Sequence, residues 1–242
     1  CVTRAVTIEA AEAGTVVLDG MSARRVVYIN GPGVELIGLS IKGGAATSAD
    51  GAIDYEAVSS DGRGGGLFIS SAGDASLINC SLLNNTALLG GGIAIRGSAT
   101  LNSCEISNNH ADDGGGMEIE NGGSATLDHC DIFGNAVYQG LGVFINSGGG
   151  LRVNGTATLN SCQIFNNKAG GSGGGLFISS SGEATLNHCN IYNNEASYSS
   201  GGGLAIQGSA ALNHCNIFYN KAPGQFGSGG GLFIDEGGSA TL

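Results

Sequence analysis

The side chains able to do chemistry in this sequence recur at fixed intervals, so each candidate site has to be read together with its copies. Glu105 and Asp131 each directly follow a cysteine. If the copies stack as layers, the two carboxylates lie about 5 Å apart, close to the separation in retaining glycosidases. Glu118 and Glu120 flank Ile119 nearby. A lyase acting on acidic polysaccharide would need clustered carboxylates for Ca²⁺ together with an Arg or Lys base, and the column that holds Glu118 contains no base. A solvated acidic face accounts for both pairs, so no catalytic residue is assigned. His129, His188 and His214 each precede a cysteine. His188 and His214 could face one metal ion, but two histidines without a third ligand make a weak site. No metal and no cofactor is expected.

These residues sit in a repeat. Glycine-led copies begin at Gly64, Gly90, Gly114, Gly140, Gly173, Gly201 and Gly229. Cys80, Cys104, Cys130, Cys162, Cys189 and Cys215 form one column of the repeat, with Leu three residues earlier and Ile or Leu two residues later. Five residues after each cysteine stands Asn85, Asn109, Asn135, Asn167, Asn194 or Asn220. Upstream come apolar pairs such as Leu67/Ile69, Val143/Ile145 and Leu176/Ile178. The cysteine spacings are 24, 26, 32, 27 and 26 residues, and the long one is read as an insertion over residues 146–156. Residues 1–46 are a degenerate entrance to the repeat in which Leu39 takes the cysteine column and Gly44 the asparagine column. Residues 47–63, with Asp50, Asp54, Glu56 and Asp61, read as an acidic surface loop without EF-hand spacing. Regular copies fill 64–242, and one repeat throughout argues for a single domain.

A formal net charge of −11, with 9 scattered Lys and Arg, makes nucleic acid a poor partner. No apolar run is long enough to cross a membrane as a helix. The 46 Gly follow no triplet period, which excludes collagen. Leu39 in the cysteine column indicates that this position wants an apolar filler, so the six cysteines are expected to be buried and reduced. Both ends look cut within the pattern, so the chain reads as part of a longer object whose strand edges continue into further coils or a stacked subunit.

Alternation of apolar residues, Leu-x-Ile and then Cys-x-Ile, is strand periodicity. Each copy offers three short strands, such as Gly-Leu-Phe-Ile, Ala-Thr-Leu and Cys-Asn-Ile, with a corner at Asn187-His188 where Asn tolerates the left-handed conformation. Three such strands cannot bury an apolar face alone. Coiled so that each pairs with its equivalent in the next copy, they form an all-β parallel β-helix of about nine coils, with stacked Leu, Ile and Cys inside and an Asn ladder along the axis.

The Gly-Gly-rich strand of residues 174–178 together with Ile191-Tyr192-Asn193-Asn194 resembles the repeat of the chlamydial polymorphic outer membrane proteins, and more generally the right-handed parallel β-helices of the pectate-lyase-like superfamily. The resemblance covers residues 64–242 and, more weakly, 25–46. It implies a right-handed β-helix in an exported, often adhesive, surface protein, and it identifies no catalytic residue. The expectation is therefore a non-enzymatic extracellular or cell-surface rod, adhesive or filament-forming, with protein or glycan partners. The alternative is a carbohydrate-active enzyme or a glycan-binding module on the same fold. Phe68, Phe144, Phe177 and Phe233 fall on one outward column and are the candidate binding residues. Asn154 and Asn84 lie in N-glycosylation sequons, which matter if the source is a eukaryote.

Overall fold

A computed structural model describes residues 1–46, 62–137 and 146–242. The chain winds as a right-handed parallel β-helix, with four strand positions per coil and no α-helix among the described residues. Sheet A has eight strands, from Val27–Ile29 to Leu232–Ile234, with Leu176–Ile178 a typical member. Sheet B has nine, from Val6–Glu9 to Ser239–Thr241, including Glu183–Asn187. Sheet C has eight, from Val16–Asp19 to Asn216–Phe218, including Asn190–Tyr192. Sheet D has six two-residue strands, among them Thr86–Ala87 and Glu195–Ala196. Sheet D is an addition to the three strands legible in each copy, because two residues are too short to show an alternation. Among the described residues every strand pairing is parallel and joins equivalent positions, for example Leu159↔Leu186↔Leu212 in sheet B.

The degenerate N-terminal stretch packs as coils of the same solenoid: Leu36 pairs with Leu77 and Ile41 with Leu82. Leu39 is 1% exposed, as its place in the cysteine column requires of a filler. The inward residues are almost wholly buried ladders: Leu77 to Leu186 in sheet B, Leu82 to Ile191 in sheet C, and Leu67/Ile69 to Leu204/Ile206 in sheet A. Each fully buried aliphatic side chain contributes about 1.5–3 kcal/mol of transfer free energy.

Between the Ile ladder of sheet C and sheet D runs the asparagine column. Asn109 Nδ2 donates to Asn135 Oδ1 at 3.0 Å and to Leu82 O at 2.9 Å, while Asn109 Oδ1 accepts from both the backbone N and Nδ2 of Asn85. The pattern repeats through Asn135, Asn167 and Asn194 to Asn220. An amide has two donors and an oxygen that accepts twice, and here all four are used. Gly44, at the start of the column, donates its backbone N to Asn85 Oδ1.

Two corners use left-handed residues. The corner before sheet C falls on Asn79, Ser103, His129, Ser161, His188 and His214, one residue before each cysteine. Thus His188, with φ 55°, makes the turn, and Asn187 is the last residue of its sheet B strand. The corner after sheet C falls on Asn84, Asn108, Gly134, Asn166, Asn193 and Tyr219.

One copy is framed differently from its sequence reading. Leu151–Val153 pairs with both Met117–Ile119 and Leu176–Ile178, so this segment is the sheet A strand of the fourth regular coil. Gly148, with φ 74°, stands where Gly114 and Gly173 stand in their coils. Residues 146–156 are therefore the coil itself, and the extra length lies before Gly148. The apolar alternation Val143-x-Ile145 mimics a strand, but only Leu151-x-Val153 is followed at the right distance by the sheet B strand Thr156–Asn160. Val143, Phe144 and Ile145 lie outside the described residues, as does most of the acidic stretch 47–63.

Candidate functional site

With the frame corrected, the outward column of sheet A reads Tyr28, Phe68, Ala94, Glu118, Arg152, Phe177, Ala205 and Phe233. It is not a solvent-facing aromatic row. Phe68 is 2% exposed, Phe177 6% and Glu118 1%, while Phe233 is half-buried. The loop entering each strand folds back over it. A Cβ on Gly173, whose φ is 68°, would lie 2.5 Å from Leu176 O and 2.8 Å from Phe177 Cβ, so only glycine lets the loop close this tightly. Phe68 stacks on Tyr28 with centroids 5.5 Å apart and lies under the Arg25 guanidinium, and Arg152 lies over Phe177.

The same cover buries charge. Arg63 Nε donates to Glu120 Oε1 at 2.7 Å, and Arg96 bonds the other oxygen of Glu120 at 2.8 Å. Arg152 pairs with Asp113, and Asn154 Nδ2 donates to Glu118. Among the described residues, Glu118 Oε2 has no hydrogen-bond partner. Burial pushes the Glu118 carboxyl well above the ordinary value, with the Arg152 charge opposing, and it raises Asp113 against the same arginine. Glu120 thus belongs to a buried ion-pair network and Glu118 is buried beside it, where the sequence suggested a solvated face. Its arginines were not legible as partners, because Arg63, Arg96 and Arg152 come from three separate coils.

Glu105 and Asp131 are register partners in sheet C, and both are half-buried. Burial raises the Asp131 carboxyl and the Glu105 charge adds to the rise, while Ser107 donates to Glu105 at 2.7 Å. His188 and His214 are exposed and stack with centroids 5.0 Å apart. Among the described residues no three His, Cys, Asp or Glu side chains are grouped to hold a metal.

The cysteine column faces inward. Cys104, Cys130, Cys162 and Cys189 are buried, and each thiol lies 3.4–3.5 Å from the carbonyl of the leucine one coil earlier. Cys80 is buried likewise and Cys215 partly so, and none of the six is in a disulfide. The Cys130 thiol and burial push Cys162 up to about 12, so its sulfur is a neutral thiol at physiological pH. Asn84 is exposed, at a left-handed corner, whereas Asn154 is half-buried against Glu118.

An aromatic row does reach the surface, on a different sheet. Phe133, Phe165, Tyr192 and Phe218 occupy one outward column of sheet C, with successive centroids 4.9, 5.0 and 5.0 Å apart and interplanar angles of 12° or less. Phe218 is 41% exposed and the others are half-buried. Two residues earlier on the same strands stand Asp131, Gln163, Asn190 and Asn216, where Asn216 Nδ2 donates to Asn190 Oδ1 at 2.9 Å. Around the corner, the outer face of sheet B carries a chain of amides, Asn213 to Asn187 to Asn160 to Asp128. The aromatic column was present in the repeat alignment, three residues after each cysteine. Leu83 and Ser107 interrupt it in the first copies, so the repeat does not show it as a continuous row.

Among the described residues no helix is long and apolar enough to cross a membrane. Neither a curated protein nor a solved structure matches the chain. The family model described as "Right handed beta helix region" matches residues 56–242, which is most of the sequence. Ladder, corner and register agree with that match, and the chain belongs to the right-handed β-helix family.

Proposed function

We propose that the protein is a non-enzymatic structural or adhesive β-helix, working as a stiff element of an extracellular or cell-surface assembly. The observation that carries this reading is the continuity of the side-chain ladders. The Asn85–Asn220 column runs hydrogen-bonded through six coils, and the outer columns of sheets B and C repeat in step with it. A solenoid so tied transmits load along its axis and presents identical groups at about 4.8 Å intervals, which suits multivalent contact with an extended partner. Above sheet A, Arg63, Arg96 and Arg152 are used in internal ion pairs with Glu120 and Asp113, an arrangement that favours rigidity over turnover.

A second reading, a carbohydrate-active enzyme, is favoured by one observation: Glu105 and Asp131 are adjacent, and Asp131 is raised partly by its neighbour. One experiment separates the two. The purified chain is incubated with neutral and acidic polysaccharides while bound protein and newly formed chain ends are both measured. Retention without product supports the structural and adhesive reading. Product that disappears in Glu105→Gln or Asp131→Asn would replace it with the enzymatic one. Protease shaving of intact source cells tests the location: protection until the cells are broken would rule out a surface position.

A further inference from the structure

The outer face of sheet C divides into two chemically different halves. Over its first regular coils it carries Glu105 and Asp131. Over the next three it reads Gln163, Phe165, Asn166; Asn190, Tyr192, Asn193; and Asn216, Phe218, Tyr219. No residue of this second half carries a charge, in a chain whose net charge is −11. The first two positions of each triplet lie on one strand two residues apart and so face outward together, and the third is the exposed left-handed corner.

We infer that this strip is a binding site for an extended, uncharged polysaccharide lying along the solenoid axis. The proposal deepens the adhesive reading above and rests on it. Amides supply both a donor and an acceptor, which is what a neighbouring pair of sugar hydroxyls requires. The amide row is oriented in advance: Asn216 donates to Asn190, and Tyr192 Oη lies 3.4 Å from Gln163 Oε1. Groups fixed before binding lose less conformational freedom on binding. The rings of Phe165, Tyr192 and Phe218 stack on one another, so their faces are largely taken by neighbouring rings and the positive rims are what the row offers to sugar oxygens. Tyr219 stands at 74° to Phe218 and is 77% exposed, so its ring is free to lie against the C–H face of a sugar. The cations nearest the strip, Lys168 and Lys221, lie beyond its corner residues on either side of Glu195, with Lys168 paired to that carboxylate at 2.8 Å, so an anionic polymer gains little there and is repelled by the chain as a whole.

The test uses the full 242-residue chain on insoluble cellulose, chitin, covalently cross-linked polygalacturonate and albumin-coated beads, with bound fraction measured against polymer concentration. The wild type is expected to be retained by cellulose or chitin. Asn190→Asp/Asn216→Asp, and separately Tyr219→Ala, should weaken that retention at least tenfold with melting temperature preserved. Thr185→Asp, on the outer face of sheet B, should leave retention unchanged. Equal retention of strip variants and wild type overturns the site. Retention only by polygalacturonate or albumin overturns the neutral-polysaccharide assignment and leaves an adhesive role standing. Retention by none of the four overturns the inference and removes the glycan arm of the adhesive reading. A strip variant that loses its melting transition is replaced by Phe218→Ser, read on the same scale.

Discussion

Sheets A and C both place aromatic residues at outward positions, yet Phe68 and Phe177 of sheet A are buried, whereas Phe133, Phe165, Tyr192 and Phe218 of sheet C all reach solvent. In sheet A the loop from sheet D doubles back over the strand, led by a left-handed glycine such as Gly173. The outward residues Phe68, Glu118 and Phe177 become a second buried layer. In sheet C the chain leaves through a single left-handed residue directly into the asparagine ladder, so among the described residues no loop returns over Phe165, Tyr192 and Phe218. Alternation along a strand therefore divides side chains between the two sides of a sheet, but whether the outer side is surface depends on where the next loop goes.

The strongest way to break this comparison is to place the same charge on both faces. Phe177→Asp puts a carboxylate beneath the glycine loop and is expected to cost about 3–5 kcal/mol. Tyr192→Asp, on the open face, should cost about 1 kcal/mol. Denaturant unfolding of the two variants should show the gap, and equal losses would mean that sheet A is no better covered than sheet C.

Next in size is the loop itself. Gly173→Ala introduces a Cβ at φ 68° and 2.5 Å from Leu176 O, with an expected loss of about 1–3 kcal/mol. Asn193→Ala, at a left-handed corner beside the open face, should cost about 1 kcal/mol, because its neighbours leave room for the side chain. A Gly173→Ala variant as stable as wild type would show that the cover is loose.

The buried carboxyls beside sheet A give a pH signature, which half-buried Asp131 of sheet C shares in direction. A carboxyl whose folded value is raised takes up protons on folding, so stability is highest below its ordinary value and falls as pH rises through the folded value. Glu118, for which the ordinary value is 4.5, and Asp113 both act in this sense. Melting temperature should decline as pH rises above that value, and Glu118→Gln should make the decline shallower while keeping an acceptor for Asn154. An unchanged pH slope in Glu118→Gln would mean that Glu118 is hydrated.

Tyr192→Ala, which removes one ring from the open stack, should cost about 0.5–1.5 kcal/mol, comparable with the other open-face changes and below those under the glycine loop. A larger loss would make the row a structural clamp.

Much of this was legible in the residues. Leu39 standing for cysteine identified an apolar, inward position, and the invariant spacing of Asn85 to Asn220 identified a column that stacks. The misplaced fourth copy shows where reading fails. Val143-x-Ile145 and Leu151-x-Val153 offer the same alternation, and only the pairing with Met117–Ile119 selects the second. Phe68 and Phe177 likewise read as candidate binding residues because alternation places them outward, and nothing within one copy shows the turn that covers them.

The sequence by itself determined the coil: a repeat whose single copy cannot bury its Leu, Ile and Cys positions has to stack, and identical residues stacked in parallel register become ladders. Only the tertiary structure decided which outer columns are surface. That choice depends on a glycine loop passing over a strand of the same coil, and on arginines from three separate coils meeting Glu120 and Asp113. Such contacts join residues across coils, and the periodicity within one copy carries no record of them.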